Sequence, residues 1–203
     1  MNSKIHIIYV VDTSMSMSGM FIESAKEIMS EIVGNIDGVY GTRTYYTLIT
    51  CDNSAIICFE HKLLNEISFA HLTANNGLSN LHVGILKSFE MATLIQEPAI
   101  LVCLSDLNIT SIQDASNMQS TFVKSANIVN IGEQNLISEF QSDFSIYNND
   151  EGHLNDLCKK LIKKIEEITT GDAPQHNENN VPNNGQYNLL PTQDLEDWNK
   201  DFK

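Results

Sequence analysis

The sequence predicts an α/β fold: a three-layer, doubly wound and mostly parallel sheet with one antiparallel edge strand. Two observations predict it. Residues 4–12 and 99–106 are nearly continuous apolar runs, which are typical of central strands covered on both faces. Segments with apolar residues at helical spacing alternate with the strand segments, and this order indicates a parallel sheet with helices on both faces.

The first half of the chain adds a helix and a hairpin to the first strand. Apolar residues at helical spacing predict a helix over 19–35, and glycines within 37–41 predict a loop after it. Residues 43–51 and 54–60 are predicted to be two strands joined by a tight turn at 52–53.

The second half continues the alternation. We expect a short helix and a connector over 62–73, a helix from Ser79 to Thr93, and a further helix within 112–123. Residues 127–131 predict a third parallel strand. The strongly amphipathic segment 150–169 predicts the last helix.

A change of composition at Gly171 marks a domain boundary. Residues 171–203 hold three of the four prolines, seven asparagines, and six acidic residues against two lysines. We therefore expect a domain over 1–170 and a flexible acidic tail over 171–203. The end of the tail places bulky apolar residues among acids, which is as typical of a docking peptide as of a disordered tail: Leu189, Leu190, Leu195, Trp198 and Phe202.

The charge balance excludes two classes of partner. The 203 residues include 12 Lys and Arg against 26 Asp and Glu, a net charge of −14. Nucleic-acid backbones and anionic membrane surfaces both require basic patches, so we expect no nucleic acid and no membrane as partner. The single basic cluster is interpreted as the solvated face of one helix: Lys159, Lys160, Lys163 and Lys164.

The sequence also predicts a cytoplasmic compartment. No segment approaches the roughly 18 consecutive apolar residues of a transmembrane helix, and the first apolar run lacks the cleavage site of a signal peptide. The four cysteines form no C-x-x-C pair, so we expect reduced, core-packed thiols: Cys51, Cys58, Cys103 and Cys158.

Polar side chains gather where the two apolar runs end. Asp12 closes the first run and Asp106 closes the second. In an open α/β sheet the functional crevice lies beyond the carboxyl ends of the strands, where the strand order reverses, so both carboxylates are expected in one crevice. Ser14 and Ser16 follow the first aspartate, and Ser79 lies at the start of another helix. The sequence therefore predicts a site of two carboxylates and three hydroxyls.

The predicted ligand atoms are all oxygens, which indicates a hard cation. Such a set suits Mg²⁺ or Mn²⁺ and does not suit zinc or copper. These residues alone do not form a six-oxygen cage, so water or a partner must complete the octahedron. Because hydroxyl ligands are neutral, they leave the metal electrophilic, and we expect it to take a carboxylate from another protein.

This pattern resembles the metal-ion-dependent adhesion site (MIDAS) of von Willebrand factor A (vWA) domains. The loop Asp12-x-Ser14-x-Ser16 continues with Met17 and Gly19, as in that family. Three further segments resemble the family's second and third strands, its threonine loop and its strand-four aspartate loop: YYTLITCDNSAII, LTANNGLSNLHVGIL and LVCLSDLNIT. The resemblance covers residues 4–169 and is greatest to bacterial tellurium-resistance-type vWA proteins.

The resemblance implies a role for each site residue. Ser14 and Ser16 would bind the metal directly, whereas Asp12 and Asp106 would act mainly through bound water. Ser79 takes the position of the family's threonine and keeps a hydroxyl.

Three neighbours of the site carry separate expectations. The family usually has glycine after the second aspartate, where this chain has Leu107, so we expect the backbone of that loop to differ. Met15 in the serine loop is expected to contact a partner, and Met20 is expected to pack in the core.

The predicted function is binding without catalysis. A protein partner would contribute an Asp or Glu to a Mg²⁺ or Mn²⁺ held by the serine loop. The resemblance implies an intracellular bacterial scaffold in stress response or tellurium-type resistance, with a kinase and a phosphatase as further partners. The tail of the same or a neighbouring molecule is another candidate source of the carboxylate, since it carries four acids near its end: Asp194, Glu196, Asp197 and Asp201.

Two other functions remain open. A metal-dependent phosphohydrolase would use Asp12 as its nucleophile, but that chemistry requires a second acid two residues later, where this chain has Ser14. A purely structural vWA subunit would have a metal-free crevice and bind its partners with or without a chelator. Fold alone does not decide between these functions.

Overall fold

A computed structural model describes residues 4–95, 97–107, 126–132, 144–145 and 151–170. Its helices and strands, in chain order, are β1 (Ile5–Asp12), α1 (Met20–Tyr40), β2 (Thr44–Cys51), β3 (Ala55–Lys62), α2 (Leu81–Leu94), β4 (Ala99–Ser105), β5 (Ala126–Asn130), β6 (Phe144–Ser145) and α3 (Glu151–Thr170). The predicted helix within 112–123 and the predicted tail over 171–203 lie outside the described residues.

The described strands form one sheet in the order β3-β2-β1-β4-β5-β6. All neighbouring pairs are parallel except β2 and β3, which are antiparallel. This confirms the predicted fold class, a mostly parallel sheet with one antiparallel edge strand. The chain builds outward from β1 to β3 and then returns to place β4 on the other side of β1. The strand order therefore reverses between β1 and β4, whose carboxyl ends carry Asp12 and Asp106.

The central strand β1 is apolar on both faces because each face packs against helices. Ile5, Ile7 and Tyr9 belong to a core that includes residues of α1 and α3. Ile8 and Val10 belong to a second core, on the side of α2. The two cores explain why residues 4–12 do not alternate between apolar and polar side chains.

The first helix is longer than the sequence indicates. The sequence predicts an end at residue 35 and a loop at Asp37 and Gly38, but α1 continues to Tyr40. Ile36 is fully buried, so the apolar stripe extends another turn, and Gly38 is accommodated within the helix. The helix ends at Gly41, whose φ of 58° favours glycine.

The β2–β3 hairpin and its cysteines differ from the prediction in two respects. The turn is one residue longer than expected, since Cys51 pairs with Ala55 rather than with Ser54. None of the four cysteines, all of which lie in the described ranges, forms a disulfide, as predicted, but Cys58 is exposed rather than packed in the core. It lies on the edge strand β3, whose residues are mostly exposed.

Helix α2 packs closely against the sheet at Gly84. A Cβ atom at Gly84 would lie 2.6 Å from Val10 Cγ1 and 2.8 Å from Cys51 Sγ, so the absence of a side chain permits this approach. The first turn of α2 therefore packs against β1 and β2. The helix begins at Leu81, so Ser79 lies in the loop before it and not at the predicted helix start. Among the described residues, we find no helix both long and apolar enough to cross a membrane.

Candidate metal centre

Asp12 is the hydrogen-bonding centre of the candidate site. It ends β1 and is fully buried. Its Oδ1 accepts a hydrogen bond from the Ser14 amide at 2.8 Å, and its Oδ2 accepts two, from Ser79 Oγ at 2.6 Å and from Ser105 Oγ at 2.8 Å. Three neutral donors from three segments thus stabilise one buried carboxylate.

The serine loop places its two hydroxyls side by side. Residues Met15–Met17 form a single 3-10 turn, which brings Ser14 Oγ within 3.1 Å of Ser16 Oγ. Ser14 is buried and Ser16 is half-buried, so the pair lies at the boundary with solvent. Gly19, with a φ of 74°, then turns the chain into α1. Met20, the first residue of α1, is 53% exposed, which overturns the expectation that it packs in the core.

Ser79 is held by a loop that is hydrogen-bonded to the serine loop. The Asn75 amide donates to Thr13 O at 2.6 Å, and the Met15 amide donates to Gly77 O at 3.0 Å. These backbone contacts fix the two loops relative to each other, and the Ser79–Asp12 hydrogen bond joins them again through side chains.

Side chains of the turn between β2 and β3 form hydrogen bonds with the loop that carries Ser79. Asp52 Oδ2 accepts a hydrogen bond from Asn75 Nδ2 at 3.1 Å, and Asn53 Oδ1 accepts one from the Leu78 amide at 3.0 Å. A Cβ atom at Gly77 would lie 2.7 Å from Asp52 Cβ, so a glycine is needed for this close contact. Sequence reasoning assigns these residues only to a turn.

Asp106 follows β4 and is 7% exposed. Its backbone packs against Gly132, where a Cβ atom would lie 2.7 Å from Asp106 O. The next residue, Leu107, is buried and has a φ of 53°, in the left-handed region that glycine adopts without strain. The glycine-type backbone is therefore present at this position despite the leucine.

Ser105 is a site residue that sequence reasoning missed. It is fully buried, donates to Asp12 Oδ2, and accepts a hydrogen bond from the Leu107 amide at 2.9 Å. It therefore connects the two aspartate loops. Its position beside Asp106 at the carboxyl end of a central strand was a signal that could have found it, since a polar residue there faces the same crevice.

The described residues fit a hard cation better than a soft one. No group of three or more His, Cys, Asp or Glu residues in the described ranges could hold a metal, so a cation bound here would depend on hydroxyl ligands. The 3.1 Å between Ser14 Oγ and Ser16 Oγ is close to the spacing of about 2.9 Å between adjacent oxygens around Mg²⁺. Ser79 gives its proton to Asp12, which leaves its oxygen lone pairs for a cation.

Comparisons with known proteins show the fold. No family model and no curated protein matches the chain. Among solved structures, proximal thread matrix protein 1 (PTMP1) from the mussel byssus is 16% identical with a TM-score of 0.54, over 80% of this chain and 46% of its own. The SpRpn10 VWA domain is 18% identical with a TM-score of 0.55, over 78% of this chain and 95% of its own.

A third structure is the ArnB paralog VWA2 from Sulfolobus acidocaldarius. It is 18% identical with a TM-score of 0.51, over 79% of this chain and 45% of its own. The chain thus spans less than half the length of PTMP1 and VWA2. PTMP1 has also been solved with a zinc-occupied MIDAS motif. At these identities the likeness establishes the fold, which is the vWA fold that the sequence resemblance implied.

Proposed function

We propose that this chain is a divalent-cation-dependent protein-binding module without catalytic activity. The observation that carries the proposal is the buried Asp12 carboxylate, which accepts one hydroxyl from the loop before α2 and one from the end of β4, and which is hydrogen-bonded to the loop that holds the Ser14–Ser16 pair. Ser14, Ser16 and Ser79 would hold Mg²⁺ or Mn²⁺ directly. Asp12 and Asp106 would act through bound water.

The hydrogen bonds of Asp12 are consistent with its indirect role. Three of the roughly four lone-pair sites of the carboxylate already accept protein donors, so Asp12 contributes mainly negative charge and orients the hydroxyls. When bound, the cation supplies a Lewis-acidic position for a carboxylate. An Asp or Glu of a protein partner is the expected ligand, because the protein's own nearest ligands are neutral hydroxyls.

Support for a metal comes from the zinc-occupied MIDAS motif of PTMP1, which shares the fold. We prefer Mg²⁺ or Mn²⁺ for this chain because its described site offers oxygens and no imidazole or thiolate cluster. The resemblance to tellurium-resistance-type proteins supports a cytoplasmic bacterial scaffold in stress response, with a kinase and a phosphatase as further partners. The acidic tail, of the same or a neighbouring molecule, is a second candidate source of the carboxylate.

Titration calorimetry of chelator-stripped protein with Mn²⁺ and then Mg²⁺ tests the proposal. We expect one cation per chain for the wild type and no binding for Asp12→Asn/Ser16→Ala. Ser30→Ala is the matched control, since Ser30 is an exposed helical serine that bonds to Lys26 O away from the site. Its binding should equal that of the wild type.

A separate experiment tests whether a carboxylate from a partner contributes to cation binding. An open site gains a ligand when an acidic peptide is present, so the titration is repeated with an aspartate-containing peptide and with its asparagine analogue. Tighter Mn²⁺ binding with the aspartate peptide alone supports the proposal. If neither condition produces heat from either metal, the cation-dependent function is wrong, and partners should then be sought without regard to metal.

A further inference from the structure

The loop that carries Ser79 has little packing of its own. It runs from Leu72, which is 6% exposed, to Ser79, which is 8% exposed. Every residue between these two is described, each is exposed or half-buried, and none belongs to a helix or strand. Hydrogen bonds to other segments are therefore the main constraint on where the Ser79 hydroxyl lies.

The hydrogen bond nearest to Ser79 along the loop backbone comes from the β2–β3 turn. Asn53 Oδ1 accepts it at 3.0 Å from the amide of Leu78, the residue directly before Ser79. The backbone bonds from the serine loop reach Asn75 and Gly77, which lie further from the serine along the chain. Asn53 therefore anchors the loop one residue before its hydroxyl.

Asp52 is held by its own turn while it contacts the loop. Its Oδ1 accepts a hydrogen bond from the Ser54 amide at 3.1 Å, and its own amide donates to Ser54 O at 3.1 Å. Its Oδ2 accepts a hydrogen bond from Asn75 Nδ2 at 3.1 Å, and Gly77 packs against its Cβ. The turn thus presents two fixed acceptors to the loop, one on each of two adjacent residues.

The position of the Ser79 hydroxyl matters for two reasons. It donates a hydrogen bond to Asp12 Oδ2 at 2.6 Å, and in the proposed function its oxygen is a ligand of the cation. Mg²⁺ requires near-ideal octahedral geometry, so a displaced ligand loses much of its value. Groups that orient metal ligands typically change metal affinity by about 10–100-fold when they are removed.

We propose that Asn53 and Asp52 are positioning residues of the metal centre, which raise its cation affinity by holding the loop that carries Ser79. The proposal rests on the cation-dependent function above and adds to it a role for the β2–β3 hairpin at the edge of the sheet. Neither residue is a metal ligand in this proposal. Both act through Ser79, and this dependence can be measured.

Hydrogen exchange in the metal-free protein tests the contact itself. Asn53→Ala removes the acceptor of the Leu78 amide without a change of charge. We expect that amide, followed by NMR, to exchange about tenfold faster in the variant than in the wild type. Asn53→Asp keeps an acceptor oxygen and should retain the slower exchange. Equal rates in the wild type and Asn53→Ala overturn the proposal.

Titration calorimetry with Mn²⁺ measures the consequence for the site. Asn53→Ala should weaken binding about tenfold, whereas Asn53→Asp should bind at least as tightly as the wild type. Asn35→Ala is the matched control, because the Asn35 amide donates to Glu31 O within α1, about 20 Å along the helix from its start. Its affinity should equal that of the wild type.

Asp52 needs a control for charge. Asp52→Asn removes a negative charge, and its amide can replace only one of the two acceptor oxygens. Glu60→Gln removes the same charge from an exposed residue of β3. Asp52→Asn should therefore weaken Mn²⁺ binding more than Glu60→Gln does. Equal losses would assign the effect to charge and overturn the positioning role of Asp52.

A double-mutant cycle tests whether Asn53 acts through Ser79. With Ser79→Ala in place no hydroxyl remains to be positioned, so the addition of Asn53→Ala should change Mn²⁺ affinity by less than about twofold. Electron paramagnetic resonance of free Mn²⁺ at millimolar concentration extends the measurement to weak binding. The same loss in both backgrounds would mean that Asn53 acts independently of Ser79, and it would overturn the proposal.

The two proposals fail in different ways. If the wild type binds Mn²⁺ and Asn53→Ala binds it equally well, the positioning role is overturned and the cation-dependent function stands. Absence of binding by the wild type, with and without the aspartate-containing peptide, overturns the cation-dependent function and the positioning role together. Circular dichroism of each variant confirms that the fold is retained.

Discussion

The two ends of β1 bury two ionisable side chains in opposite ways. His6, near the amino end, and Asp12, at the carboxyl end, are both fully buried. Asp12 accepts three hydrogen bonds. His6 has one, between Nε2 and Thr47 Oγ1 at 2.8 Å, and its Nδ1 has no hydrogen-bond partner in the part of the chain that the structure describes. Burial is the same at both ends, so the neighbouring segments decide what each end can do.

The surroundings of His6, at the amino end of β1, disfavour the charged form of its imidazole. Burial lowers the pKa of His6 to about 4, with His61 acting in the same direction and Glu97 in the opposite one. The ring centroids of His6 and His61 are 5.2 Å apart, and His61 Nε2 lies 3.7 Å from Glu97 Oε1. His6 is therefore neutral near pH 7. The carboxyl end, by contrast, surrounds a carboxylate with donors and is suited to attract a cation.

Among the changes considered for the two ends of β1, removal of the Asp12 carboxylate should lower stability the most. Asp12→Ala leaves the Ser14 amide and the Ser79 and Ser105 hydroxyls without their acceptor, which should lower the free energy of unfolding by about 3–5 kcal/mol. Urea denaturation of the wild type and the variant measures this loss in the free energy of unfolding. A loss below about 1 kcal/mol would mean that these donors find other partners, and the network would not be the support of the site.

Acidic pH should destabilise the protein through His6, at the amino end of β1. The folded-state pKa of His6, about 4, is lower than its ordinary value of 6.5. Stability is therefore complete above pH 6.5 and falls as the pH drops towards 4, because the unfolded chain takes up a proton that the folded chain excludes. Each tenfold difference in proton affinity between the two states corresponds to about 1.4 kcal/mol, so the loss near pH 4.5 is about 2–3 kcal/mol.

The titration can be assigned by comparing variants. Urea midpoints of the wild type, His6→Leu and His71→Leu should be measured at pH 7.5 and pH 4.5. The loss at acid pH should shrink in His6→Leu and persist in His71→Leu, since His71 is exposed. Equal losses in all three proteins would assign the effect to other groups.

Ser105 offers a smaller and more specific perturbation of the carboxyl end. Ser105→Ala removes the bond to Asp12 and leaves the buried Leu107 amide unpaired, which should cost about 1–2 kcal/mol of stability and weaken Mn²⁺ binding. Ser88→Ala is the matched control. Ser88 is also fully buried and bonds to Ile85 O, away from the site, so its loss should leave Mn²⁺ affinity unchanged.

The smallest predicted effect concerns the backbone next to Asp106. At a φ of 53° alanine is strained and glycine is not, so Leu107→Gly should be more stable than Leu107→Ala by about 1 kcal/mol. Gly34, within α1, supplies the reference, because Gly34→Ala in a helix should stabilise rather than destabilise. If Leu107→Ala is the more stable variant, the left-handed backbone at this residue is wrong.

Much of the fold could be predicted because the pattern of apolar residues in each strand segment indicates which of its faces are buried. The run over 4–12 predicted a strand covered on both faces, and the two cores on either side of β1 explain it. The end of α1 could not be placed in the same way. Asp37 and Gly38 resemble a loop locally, but the burial of Ile36 against the sheet favours another turn of helix.

Five members of the candidate site could be nominated from the sequence, whereas Ser105 and the hydrogen bonds between the loops could not. Asp12, Ser14, Ser16, Ser79 and Asp106 stand at the ends of elements, so the sequence could nominate them. Their role as metal ligands stays a prediction. The support from Asp52 and Asn53 could not be predicted, because it depends on contacts between loops that are distant in sequence.

Local composition and periodicity are enough to predict the order of elements, the burial of β1 and the oxygen-rich loops that follow the strands. Which hydroxyls reach Asp12 depends on packing between distant segments. Ser79 and Ser105 lie 67 and 93 residues away along the chain. A hydrogen bond over such a separation exists only once β4 has packed beside β1 and α2 has approached the sheet at Gly84.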